Sequence, residues 1–334
     1  MRYNALVAQV FLIGLTAMSS TRAAAGQSLG PAASFAVFSS ADVAFKNRVN
    51  ISQPTTTSMV GMCPGSVGCP ADVGGTTVLM GRGNAAAPDT VAGDVIASAV
   101  STQGLNCSGN PPGTTAICLG NDSEISGACV TGGGAIDSPN ECAAGTDTTG
   151  SNSELTSLPG AQSQLLSFSN SLASLPTTQT LAEIALRTRG TVTIMTSSGL
   201  NVIAIPAITT GANATITISG PSNATVVINI GSSTASGSLQ LGNGASVVLS
   251  GGITPDRLVF NLVGSSTTAQ LGNNTTFNGT IVAPQGQFTS GDGNTPSPII
   301  INGALLFGGS VDIGNNTNLS FYPFVGVSTG GGGV

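Results

Sequence analysis

One three-residue corner recurs in the C-terminal half of the chain and limits the fold more than any other feature. Leu241-Gly242-Asn243, Leu271-Gly272-Asn273 and Ile313-Gly314-Asn315 each precede a short strand-like run, GASVVLSG, NTTFNGT and NTNLSFY. Around them, from residue 190 onward, apolar and small polar residues alternate with period two in runs such as TVTIMT, LNVIAIP, ATITIS, ATVVINI, RLVFNLV and GTIVAP. Such alternation marks half-buried strands. Short strands closed by the same Gly-Asn corner predict coils of a parallel β-helix, in which each coil covers its neighbour's core. A β-sandwich also offers many short strands, but it has no reason to repeat the corner. The corners lie 30 and then 42 residues apart, and the 12 extra residues are assigned to a loop at 285–299. The corner Asn residues are expected to take the left-handed conformation and to stack as ladders between coils.

The segment SLPGAQSQLLSFSNSLASL, 157–175, breaks this pattern. It places Leu158, Ala161, Leu165, Phe168, Leu172 and Leu175 at alternating steps of three and four, one apolar stripe of a helix. Ser157 is the expected N-cap, Pro159 falls in the first turn and Pro176 ends the helix. The opposite face is Ser, Gln and Asn, so the helix has to lie against an apolar surface. The fold class is therefore all-β, a parallel β-helix with one long α-helix alongside.

Residues 1–25 have the plan of a signal peptide: Arg2, the apolar run ALVAQVFLIGLTAM and an Ala23-x-Ala25 cleavage signal. The run is too short to span a bilayer, and no later stretch is long enough. Cleavage would remove Arg2 and Arg22 and move the net charge from −6 to −8. The chain is then expected to be secreted, or displayed at the cell surface, as one domain over 26–325 with a Gly-rich tail at 326–334. Within that domain 26–150 reads as a loop-rich part and 190–325 as regular coils. Six cysteines, Cys63, Cys69, Cys107, Cys118, Cys129 and Cys142, suit an oxidising compartment. Six allow 15 pairings. Local pairing as Cys63–Cys69, Cys107–Cys118 and Cys129–Cys142 is expected, because each pair flanks a short Gly-, Pro- or Ser-rich loop.

Composition removes most chemistries. The chain has no histidine, which excludes Ser-His triads and imidazole bases. Eight basic residues against a net charge of −6 make no nucleic-acid footprint. The glycine-rich Gly81-Arg82-Gly83-Asn84 imitates a dinucleotide loop, but Pro88 would interrupt the helix such a loop needs. From 190 to the end the charged residues number four beyond residue 189: Asp256, Arg257, Asp292 and Asp312. Asp256 and Arg257 read as a solvated pair in a turn, and Asp292 as a loop residue rather than a calcium ligand. No acid/base pair, metal site or cofactor site is expected.

LLSFSNSLASLP, LNVIAIP, ATVVINIGSS, DRLVFNLVGSS and FNGTIVAP together resemble the choice-of-anchor A or ice-binding-like adhesive domain family. LGPAASFAVFSSADV resembles the opening strand of the related ice-binding-protein domain. The resemblance covers about 157–325 well and 29–150 more loosely. It implies a right-handed β-solenoid with a long helix packed along it, in secreted or surface proteins with adhesive, matrix or ice-binding roles. Family members carry a sorting or anchoring tail, and this sequence ends instead in STGGGGV.

The informative surface is the neutral one. In TVTIMT and ATITIS, Val192, Ile194, Ile216 and Ile218 face inward while Thr191, Thr193, Thr215, Thr217 and Ser219 face out. Positions two apart on a strand are about 6.7 Å apart and adjacent coils about 4.8 Å apart, so the hydroxyls would form a regular array. Such an array fits a non-enzymatic module that binds an extracellular glycan or matrix surface, or ice as the alternative. A glycan-active enzyme is the third reading, disfavoured by the scarcity of carboxylates.

Overall fold

The computed structural model describes residues 29, 33, 35–53, 72–75, 77–81, 88–98, 115–120, 123–132, 135–137, 142–143, 145–147 and 153–326. Residues 1–25, read above as a leader, lie outside these residues, as do Cys63, Cys69, Cys107, Arg82–Asn84 and the tail from 327. The strands form three sheets of 11, 10 and 9 strands, and the strand pairs within them are parallel. Each complete turn of the chain contributes one strand to each sheet, so the molecule is a β-solenoid with its core enclosed between the three. That core holds Phe38, Phe260, Phe277, Phe288, Phe307 and Phe321 with Val, Ile and Leu from every coil. It runs without a break from the N-terminal to the C-terminal coils.

The path of the chain is not a single progression. The first coil, Phe35–Ser39, Asp42–Phe45 and Val49–Ser52, lies in the middle of the stack. The following strands, to Thr146–Asp147, build outward to one end. The helix, Ser153–Ala173, then carries the chain back along the first sheet. Its 21 residues give about 30 Å, roughly six strand spacings. Coiling resumes at the opposite end with Gln179–Thr180, Ile184–Leu186 and Thr191–Met195, and returns toward the start. The two halves meet in all three sheets, where Val37 pairs with Leu305, Val43 with Val311 and Asn50 with Asn318. The N-terminal part, expected to be loop-rich, thus supplies strands of two to five residues to the same sheets.

The helix buries Leu158, Ala161, Leu165, Phe168 and Leu172, with Leu175 partly buried beyond it. It begins at Ser153 rather than 157, so Ser157 is not its N-cap and Pro159 lies in its second turn. The outer face is largely polar, with Leu166 exposed on it, so most of the helix's stability comes from the apolar stripe packed on the sheet. Between helix and sheet lies a polar clamp. Ser169 donates its hydroxyl to Asn261 Oδ1 at 2.6 Å, and Asn261 Nδ2 donates to Ser169 O at 3.0 Å and to Asn229 Oδ1 at 2.8 Å. Asn229 Nδ2 donates in turn to Leu172 O at 3.0 Å. All these side chains are buried. The amides inside the apolar runs ATVVINI and RLVFNLV therefore satisfy one another and fix the helix in one register.

The corners stack, in a form different from that expected. Asn243 Oδ1 accepts the N–H of Asn273, Asn273 Oδ1 that of Asp292, Asp292 Oδ1 that of Asn315, and Asn315 Oδ1 that of Asn47, all at 2.9–3.0 Å. Asp292 lies in the connection between the strands Gly286–Ser290 and Ile299–Gly303, as expected of a loop residue, and there it forms a rung of this ladder. The segment assigned to a loop contains the strand Gly286–Ser290, which pairs with Thr267–Leu271. The 42-residue gap is therefore two coils, with steps of 19 and 23 residues, because a carboxylate oxygen serves a rung as well as an amide oxygen. The left-handed position is the residue after each Asn rung: Gly244, Asn274, Asn316 and Arg48 have φ between 52° and 67°. The glycines before four of the rungs, Gly242, Gly272, Gly291 and Gly314, are needed for close approach, and Lys46 takes that place before Asn47. A Cβ on Gly314 would stand 1.6 Å from the carbonyl oxygen of Gly291.

Candidate functional site

The third sheet presents its outer face to solvent and packs its inner face on the core. Its strand order runs Thr191–Met195, Thr215–Ser219, Ser246–Ser250, Thr276–Asn278, Ile299–Gly303, Thr317–Phe321, Val49–Ser52, Asp89–Val91 and Ser123–Ile125. Alternation sends Ile194, Ile216, Ile218, Val247, Phe277, Ile301 and Leu319 inward, where they are buried. Val192, expected inside, is half-buried because its coil has a neighbour on one side only.

The five positions predicted from sequence come together here. Thr191 is paired with Thr215, Thr193 with Thr217, and Met195 with Ser219. Thr191 and Thr193 are exposed, and Thr215, Thr217 and Ser219 are partly exposed. They are one end of a longer array. From Thr191 the outward row continues in register through Thr215, Ser246, Thr276, Ile300, Asn318, Asn50, Thr90 and Glu124. A second row contains Thr193, Thr217 and Val248, and further along Asn278, Asn302, Ser320 and Ser52. Sequence reading missed this extension, although a signal was present. Ser246, Thr276, Asn318 and Asn50 each lie three residues after a corner Asn: Asn243, Asn273, Asn315 and Asn47. The coil of Asp292 carries additional residues before its strand, so that count fails there and Ile300 fills the row.

The outward groups are tied to one another across coils. Ser246 donates to Thr215 Oγ1 at 3.2 Å, Asn302 Nδ2 to Asn278 Oδ1 at 2.9 Å, and Thr90 Oγ1 to Asn50 Oδ1 at 2.5 Å. Asn278 Nδ2 also holds the carbonyl of Val247 at 2.7 Å. Such cross-strand bonds restrict rotamers, so the surface is ordered before anything binds it. At the far end lies a shallow concavity of about 500 Å³, lined by Asn50, Ser52, Thr90, Glu124, Ser126 and Ala143 among others.

Charge is nearly absent from this face. Glu124 ends the first row, and Asp89 points inward with 0% exposure. Burial pushes the Asp89 carboxyl up to about 6, against the opposing effect of the backbone N–H groups of Val49 and Arg48. Val49 N–H donates to its Oδ1 at 2.7 Å, while its Oδ2 has no partner among the described residues. The other carboxylates sit elsewhere. The Asn315 N–H holds Asp292 below the ordinary carboxylate range, assisted by Lys46 at 3.1 Å. Burial raises Asp312, with the Lys46 charge opposing and Asp42 adding to the shift. Asp256, read as solvated, is 8% exposed in the short 3-10 turn Pro255–Arg257, where its carbonyl accepts the Val325 N–H. Among the described residues no three His, Cys, Asp or Glu side chains converge on a metal-sized site.

Of the cysteines, Cys129 and Cys142 form a disulfide with Cα atoms 5.8 Å apart, and Cys118 is also disulfide-bonded. No helix among the described residues is long and apolar enough to cross a membrane.

The sequence pattern of the ice-binding-like adhesive domain family matches residues 28–319. No curated protein matches the chain. Among solved structures, an ice-binding protein from the Antarctic ascomycete Antarctomyces psychrotrophicus is 17% identical, with 89% of this chain and 98% of that one covered at a TM-score of 0.47. An ice-binding protein from an Antarctic biological consortium is 16% identical, with 88% and 91% covered at 0.49. An ice-binding protein domain of Shewanella frigidimarina is 13% identical, with 89% and 98% covered at 0.42.

Proposed function

Because this chain belongs to the ice-binding-like adhesive domain family, we propose that it is a non-enzymatic module whose third sheet binds an extended, uncharged surface outside the cell. The observation that carries the reading is the nine-position outward row from Thr191 to Glu124, in register and uncharged over its first eight residues. A row of that kind recognises by spacing and hydration, and its amides and hydroxyls suit a glycan or matrix fibre. The second reading is ice. The paired Thr191–Thr215 and Thr193–Thr217 hydroxyls favour it, since they repeat in two directions. The Ile, Val and Asn positions that interrupt the Thr pattern favour the first.

The leader-like residues 1–25 and the Cys129–Cys142 disulfide support an extracellular setting. We read 26–325 as one domain, consistent with its unbroken core. The deciding experiment adsorbs the labelled domain to polycrystalline ice and to insoluble uncharged polysaccharide in parallel. Retention on polysaccharide without thermal hysteresis supports adhesion, and ice shaping with thermal hysteresis supports the second reading. Retention on neither, or turnover of the polysaccharide, overturns both.

A further inference from the structure

We propose that copies of this chain stack head to tail along the solenoid axis, the outermost coil of one pairing with the opposite end of the next. Gln179–Thr180, Ile184–Leu186 and Thr191–Met195 are the terminal strands of the three sheets at one end. In the last of these, Thr196 N–H donates to Ser219 O, and Gly190 O accepts from Thr215 N–H, both at 2.8 Å. Ladder bonds in a parallel pair fall on alternate residues, so the N–H and C=O of Thr191, Thr193 and Met195 point to the open side. Among the described residues no strand pairs with that side. Met195 is 67% exposed, and Thr191–Met195 carries no charge or proline of the kind that guards natural sheet edges.

A second copy is the occupant that fits all three edges together. The same sheets end, at the other pole, in Thr146–Asp147, Ala135–Asp137 and Ser123–Ile125, with Cys142 bridged in parallel to Ile125. Translation along the axis sets each sheet on its own counterpart with strand polarity kept. Charge selects this arrangement over two like ends meeting. The outermost coil exposes Arg187 and Arg189 against Glu183. The strands at the opposite end contain Glu124, Asp137 and Asp147, and the described residues there include no Lys or Arg. Like ends repel and unlike ends attract. A head-to-tail contact related by translation does not close, so it builds an open series. Each added copy prolongs the rows of the third sheet, turning a weak surface contact into a multivalent one. The inference does not depend on what that sheet binds.

Sedimentation of the purified chain from micromolar to near-millimolar concentration tests it. At low salt the weight-average mass should rise without levelling at two copies, and less so in about 0.5 M salt. Arg187→Glu with Arg189→Glu makes both poles acidic and should weaken association about tenfold or more. Thr193→Pro removes an N–H directed to the open side and should weaken it with the melting temperature unchanged. A plateau at the dimer would show closure about a two-fold axis, and a single-copy mass throughout would show an unpaired edge; either overturns the proposal. If Thr193→Pro also lowers the melting temperature, the charge-reversed pair decides alone, and undiminished association in it overturns the proposal.

Discussion

The backbone N–H of Asn273 donates to the side-chain Oδ1 of Asn243, 3.0 Å away on the neighbouring coil. Asn273 passes the same contact on to Asp292 at 2.9 Å, so one side chain joins two coils that are 19 residues apart. Asn273→Ala should cost about 1 kcal/mol, the net value of one such bond. Asn273→Asp should cost less, because Asp292 already performs this role with a carboxylate oxygen. Urea denaturation of the two variants checks the order, and equal losses would contradict the rung.

Phe168 is 2% exposed and meets Phe324 edge to face with ring centroids 6.1 Å apart. Phe168→Ala should cost about 3–5 kcal/mol, combining lost transfer energy with a cavity. A loss below roughly 1 kcal/mol in equilibrium unfolding would make the helix peripheral.

Asn261 tests the polar clamp separately. Replacing it by Ala leaves Ser169 Oγ and Asn229 Oδ1 buried without their partner. The expected cost is about 2–4 kcal/mol, more than for an exposed Asn such as Asn318. Thermal unfolding of both variants should separate them clearly.

Asp89 gives stability a pH dependence of definite sign. Its folded carboxyl titrates near 6, above the ordinary 3.8, so the folded state holds more protons between those values. Stability from this group is full below about 3.8 and is lost as pH rises through about 6. The shift corresponds to about 3 kcal/mol at most, which solvent screening reduces to the order of 1–2 kcal/mol. Asn in its place keeps an acceptor for the Val49 N–H and removes the charge. Melting temperatures from pH 4 to 7.5 should therefore fall in the parent and stay level, for this component, in Asp89→Asn. Parallel curves would contradict the assignment.

Much of the architecture is readable from sequence because its determinants are local and repeated. Period-two runs, Gly-Asn corners and the stripe from Leu158 to Leu172 each encode their own element. The position of the first coil in mid-stack is different: the pairing of Asn50 with Asn318 joins segments 268 residues apart, and the spacing each keeps from its corner Asn does not say which coils are neighbours. Asp292 was obscured because a Gly-Asp-Gly-Asn run resembles a turn until its coil neighbours are known. Thr191 to Ser219 are legible as outward positions from alternation alone. The continuation through Asn50 leaves only its three-residue spacing from Asn47 as a local trace, and that through Thr90 requires the seam between the two halves.

The central claim is that the third sheet is the binding face, and one comparison tests it most directly. Thr215→Tyr with Thr217→Tyr adds bulk at half-exposed outward positions of that sheet, and Thr209→Tyr with Thr289→Tyr does so on the second sheet, where both residues are exposed. Retention on ice and on insoluble polysaccharide should fall at least about tenfold for the first pair and hold for the second, with both folds intact and with little dependence on salt. Retention lost with the second pair and kept with the first, or lost on moving from low to moderate salt, would place binding elsewhere on the molecule.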